Sequence, residues 1–153
     1  MVDALRRAHR WVAPDGYLVD VHPTDTRAVV RVGDLVVGPL DDADAPARHA
    51  AAGDALTAAI ALRLFERIAA VEFDFHTYAD SAEELKDFIA RTWGTTRIGQ
   101  ATADAAHAAH MRAPAGVRPR TRERVVLTTL RPLSPLTVMS TGSDCARRSA
   151  CEG

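Results

Sequence analysis

The chain has 153 residues, 47% of them hydrophobic and 25% charged, and a formal net charge of -1. Those values fit one globular domain large enough for its own core, and they remove any global electrostatic ground for a nucleic-acid or anionic-membrane partner. Only 5% of the residues are aromatic, so small side chains and closely packed helices are expected to build that core. No apolar run approaches the roughly 20 residues a membrane helix needs, and the N-terminus lacks the apolar stretch of a secretory signal, which predicts a cytoplasmic protein. Arginine far outnumbers lysine, as in high-GC bacterial proteins. Both cysteines, Cys145 and Cys151, fall in the last residues, so no disulfide framework is expected.

The first stretch, DALRRAHRWVAPDGYLVDVHP, reads as helix, turn and strand. Ala4, Leu5, Ala8, Trp11 and Val12 recur on one helical face opposite Arg6, Arg7 and Arg10, with Asp3 in the N-cap position. Pro14-Asp15-Gly16 ends the helix and turns the chain. In the strand from Tyr17 to His22, Tyr17, Val19 and Val21 form the apolar side. Leu18, Asp20 and His22 share the other, expected to look into a cleft, a sheet end or solvent. Arg27 to Val32 and Leu35 to Leu40 then form a hairpin, with Gly33-Asp34 suited to a type II′ turn. A loop from Asp41 to Ala47 leads into an alanine-rich helix expected over 48–69, with Asp44 or Asp42 as a candidate cap.

Val71 to Tyr78 alternates as a half-buried strand. Val71, Phe73, Phe75 and Thr77 point one way, and Glu72, Asp74, His76 and Tyr78 the other. Ser81 and Glu84 form a capping box for a helix that buries Leu85, Phe88, Ile89 and Trp93 and stops at Gly94. Gln100 to Met111 is a further helix, and Arg122 to Arg131 is the last strand. Residues 1–131 are therefore expected to make a single domain, and 132–153, rich in serine, threonine and proline without period, to be a disordered tail.

Leu5, Arg6, Arg10, Pro14, Gly16 and Leu18 match the segment "L-R-x-x-x-R-x-L-x-P-G-G-x-L" that leads into the fifth strand of class I S-adenosylmethionine-dependent methyltransferases, of the type 11 kind. The chain resembles the C-terminal half of that family. The resemblance implies an α+β fold, with a small mixed, largely antiparallel sheet and helices packed against it, as in the second half of a Rossmann-type methyltransferase. It also implies that the final strand runs antiparallel between the strand from Tyr17 and the strand from Val71. The family's cofactor loop is a glycine-rich G-x-G-x-G, and no such sequence occurs in the 153 residues. No cofactor-binding residue can therefore be transferred, and S-adenosylmethionine is expected only with a partner that supplies the missing half. The implied open sheet edge predicts a homo-oligomer or a protein partner.

Asp20 and His22, two apart on one strand face, are the candidate general-base pair. Together with His76 they are the candidate catalytic residues, and the two strand residues are expected to stand side by side without an orienting contact. His107-x-x-His110 has helical spacing for two metal ligands but no third, so no metal site is assigned. Glu72, Asp74 and His76 read as a solvated strand face, and Phe73, Phe75, Phe88 and Trp93 as core in preference to a ligand wall. Three functions stay open: a methyltransferase-like domain not competent alone, a non-enzymatic module binding a partner or small ligand, and a small enzyme using the Asp20/His22/His76 face.

Overall fold

The structure, a computed structural model, describes residues 2–134, and Cys145, Cys151 and most of the expected tail lie outside them. In chain order the elements are α1 (Val2–Trp11), β1 (Leu18–Pro23), β2 (Val29–Val32), β3 (Leu35–Pro39), α2 (Ala45–Ala61), β4 (Phe65–Tyr78), α3 (Ala82–Thr92), α4 (Gln100–Arg112) and β5 (Pro119–Pro132). They form an α+β fold around a five-stranded antiparallel sheet.

The 14-residue β5 organises the sheet. On one side β4 pairs with it along its whole length, from Phe65 opposite Pro132 to Tyr78 opposite Arg120. On the other side two elements share the edge: β1 pairs with Val125 to Leu130, and β2 pairs with Pro119 to Arg122 and carries β3 outward. The last strand thus runs antiparallel between β1 and β4, as the sequence reading expected, and the hairpin extends one end of the sheet. Gly33 takes a φ of 58° in the two-residue turn that pairs Val32 with Leu35.

Side chains alternate along β5, so its two ends bury opposite faces. Near its start Thr121 and the facing Val30 are buried in a core with Val32, Leu85, Ile89 and Ala106, which belong to β2, α3 and α4. Near its end Leu130 is buried on the other face with Phe65, Leu56 and Ala59, and Leu5 and Leu18 pack against them. The Ser81 half of the capping box is formed as read, with Ser81 Oγ accepting from the Glu84 amide at 3.1 Å, while the Glu84 carboxylate reaches one residue beyond the cap and accepts from the Asp80 amide at 2.8 Å. Gly94, with a φ of 63°, follows the C-cap residue Trp93.

Four expectations are corrected. The second helix ends at Ala61 and not near 69. Arg63 adopts a left-handed φ of 56°, and Phe65 already begins β4. Leu64 and Ile68 therefore lie off the helix, and β4 is nearly twice the expected length because β5 offers it pairing partners as far as Pro132. Trp11, assigned to the apolar helix face, is 85% exposed. The strand faces are also reversed in burial. Val19 and Val21 are each 54% exposed, while Leu18, Asp20 and His22 are partly covered, because α1 and α2 pack on the Leu18 side. For the same reason Val71, Phe73 and Phe75 are 55%, 37% and 47% exposed, since α3 and α4 cover only the other end of that face.

Two glycines give a direct check on the packing. A Cβ on Gly38 would lie 2.5 Å from Thr102 Oγ1 and 2.9 Å from its Cγ2, whereas one on Gly53, inside α2, meets nothing within 4 Å. Gly38→Ala should therefore destabilise by about 1–3 kcal/mol, the usual range for overpacking. Gly53→Ala should stabilise by up to about 1 kcal/mol through helix propensity. Urea unfolding of the two variants would compare them.

Candidate functional site

The two arms that share one edge of β5 do not meet. β1 stops pairing at Val125 and β2 begins at Arg122, leaving Glu123 in the split between them, where the Thr24 amide donates to the Arg124 carbonyl at 2.8 Å. The start of α2 and the end of α3 close over that split. They leave a cleft of about 650 Å³ whose walls include Pro23, His49, Trp93 and Leu40.

Its polar side is built around Asp42. The Asp42 carboxylate is only 7% exposed: Arg48 donates from Nη2 to Oδ2 at 2.7 Å and from Nη1 to Oδ1 at 3.1 Å, and the Thr96 hydroxyl donates to the same Oδ2. This fork holds the Asp42 pKa far below the ordinary carboxylate range, mainly through the Arg48 hydrogen bonds, and correspondingly raises that of Arg48. His49 Nδ1 bonds the Thr24 carbonyl at 2.8 Å and so fastens the first turns of α2 to the end of β1. Glu123 is different. Among the described residues its carboxyl has no hydrogen-bond partner, and burial pushes its pKa above the ordinary 4.5, with the nearby Arg48 opposing the shift and Asp42 reinforcing it.

The sequence-derived trio is split. Asp20 and His22 do meet, contrary to the expectation of side-by-side groups: His22 Nδ1 lies 2.5 Å from Asp20 Oδ2, with both side chains largely covered. With Nδ1 protonated, the carboxylate orients the ring and leaves Nε2 as the acceptor, a base-orienting arrangement. His76 is elsewhere. It sits across β5 opposite Arg122, four positions along the strand from Val126, the partner of His22, so about 13 Å of strand rise separates the two imidazole positions. Its Nδ1 bonds the Thr121 carbonyl at 3.0 Å. Glu72 and Asp74 both accept from Arg124, at 3.2 and 3.3 Å, which accounts for that acidic face as cross-strand pairing. No group of three metal-ligand side chains occurs among the described residues. Of the aromatic four expected as core, Phe73 and Phe75 are exposed on the sheet, Phe88 is exposed on α3, and Trp93 packs on the core beside the cleft.

Sequence reading missed the cleft because its parts come from positions 23, 42, 48, 93, 96 and 123, which no local spacing relates. The only local signal was Glu123, an acidic residue inside an otherwise apolar and basic strand. Comparison of the chain with protein-family models, with curated proteins and with solved structures finds no match.

The two carboxyls should act on stability with opposite sign. Asp42 has a depressed folded pKa, so its contribution is present above the unfolded value of 3.8 and is lost as pH falls below it. Asp42→Asn should cost about 1–3 kcal/mol at neutral pH, the scale of a hydrogen bond to a charged group, and nothing in strong acid. Glu123 has a raised folded pKa, so the protein loses stability as pH rises from 4.5 toward the folded value. Glu123→Gln should remove that decline. Urea midpoints between pH 2 and pH 8 would show both effects.

Proposed function

We propose that this domain is a methyltransferase-like half-sheet that works as a docking module, receiving a further strand on the free edge of β1 and a helical cover on the adjoining apolar face. The observation that carries this reading is the strip of Val19, Val21, Val71, Phe73 and Phe75, all on one face of β1 and β4 and all left substantially exposed. β5 runs between the two groups, with its partly exposed Leu127 in register with both Val21 and Val71, and an exposed apolar surface of this kind marks an interaction site.

The open edges of β1 and β4, the strands that carry the exposed apolar side chains, differ in a way that selects β1. β4 is guarded by a bulge between Arg67 and Ala69, a device that keeps edges from pairing. β1 has no bulge, and its one acidic side chain, Asp20, is tied to His22. The strand order places β5 between β1 and β4, with both antiparallel to it, which is the arrangement implied by the resemblance carried by Leu5, Arg6, Arg10, Pro14, Gly16 and Leu18.

The residues of this chain do not fit S-adenosylmethionine. The sequence has no glycine-rich cradle, and the Pro14-to-Gly16 turn enters β1 at its N-terminal end, whereas ligands of such sheets bind at the C-terminal ends of the strands. No methyl-transfer step is therefore assigned to these residues.

Full burial of a valine or phenylalanine side chain contributes about 1.5–3 kcal/mol, so covering the exposed half of five such groups offers roughly 4–8 kcal/mol. Association costs about 4–15 kcal/mol in lost freedom, so self-pairing of this chain should be weak and concentration-dependent. Sedimentation equilibrium should show a mass rising above the 16.5 kDa of one chain with concentration, and Val21→Glu should return it to one chain. A mass fixed at one chain throughout would contradict the docking reading. Calorimetric titration with S-adenosylmethionine should show no binding, and micromolar affinity would overturn the judgement that the chain alone does not hold the methyl donor.

A further inference from the structure

The cleft at the split of the β5 edge is independent of the exposed strip and of any methyltransferase relationship. Three carboxylates line it, Asp25, Asp42 and Glu123, against two guanidinium groups, Arg27 and Arg48, which leaves one negative charge in excess. Asp42 is fully engaged by Arg48 and Thr96, and Arg27 donates from Nε to the Leu40 carbonyl at 3.3 Å. Asp25 is solvated at the rim. Arg27 also lies 3.8 Å from Asp41 Oδ1, outside the cleft lining, so Glu123, with Arg48 as its nearby cation, is the carboxyl inside the cleft that has no hydrogen-bond partner among the described residues.

The Glu123 carboxylate is half-buried and accepts no hydrogen bond from the described residues, so solvent alone meets its oxygens, and a cation delivering N–H groups would replace that solvent with charge-assisted hydrogen bonds. Trp93 and Pro46 line the same cavity, so an apolar body behind the cation finds contact area, and the indole face itself attracts positive charge. A volume of about 650 Å³ suits a compact organic molecule.

We propose that this cleft is a binding site for a small primary amine, whose ammonium group is received by Glu123 and whose aromatic or aliphatic body rests on Trp93. Asp42, pinned by Arg48, shapes the wall and does not bind the amine. Selectivity follows from the charge: an organic acid of the same shape would meet Glu123 with like charge and be refused.

The test uses phenethylamine and 3-phenylpropanoate, which share a phenyl ring on a short chain and differ in the sign of the head group. The chain has two tryptophans, so in a Trp11→Phe background the fluorescence reports Trp93 alone. Phenethylamine should change that emission saturably with a Kd below about 1 mM, and 3-phenylpropanoate should not. Glu123→Gln, checked for folding by circular dichroism, should weaken phenethylamine at least about tenfold. No saturable response to phenethylamine up to about 10 mM would overturn the proposal. So would equal response to both compounds, or unchanged affinity in a folded Glu123→Gln protein. The comparison of the two compounds on the unaltered cleft decides the matter even if that variant fails to fold.

Discussion

The central constraint on this structure is the length of β5. One 14-residue strand has to satisfy hydrogen-bonding groups on both of its edges, and no single neighbour except β4 is long enough to do so. The opposite edge is divided between the six residues of β1 and the four of β2. A strand rises about 3.3 Å per residue, so β5 extends about 45 Å, well beyond the reach of one helical layer. The helices accordingly separate into two pairs, α1 with α2 and α3 with α4, that cover opposite faces at opposite ends. The cleft at Glu123 and the bare apolar strip both follow from this division: one lies where the edge partners part, the other where a face runs on past its helices.

The local grammar of the chain was legible. The Ser81 cap, the Gly33-Asp34 turn, the stop at Gly94 and a strand over 71–78 each depend on residues within one turn or one strand, and each appears in the structure, although 71–75 is exposed on both faces and not half-buried. The strand order was legible for a different reason. The segment from Leu5 to Leu18 resembles a known helix, turn and strand, and the antiparallel placement of the last strand came with that resemblance.

What failed to read out was the direction of burial. An alternating strand shows which residues share a face but not which face a helix will cover: in β1 the more apolar face is the uncovered one, and in β4 both faces are exposed from Glu66 to Phe75. The end of α2 was misplaced because Leu64 and Ile68 continue a helical spacing that the left-handed turn at Arg63 interrupts, and an arginine carries no signal for that conformation. The Asp20 and His22 contact was expected to be absent because residues two apart on one strand face stand side by side, yet the imidazole and the carboxylate meet at 2.5 Å.

The uncovered strip is the feature on which the functional account rests, and backbone hydrogen exchange reports on it most directly. The account predicts that amides on the free edge of β1, within Leu18 to Val21, exchange more slowly as protein concentration rises, while those of β5, already paired on both sides, do not change. Exchange at β1 that is independent of concentration across the whole accessible range would contradict it.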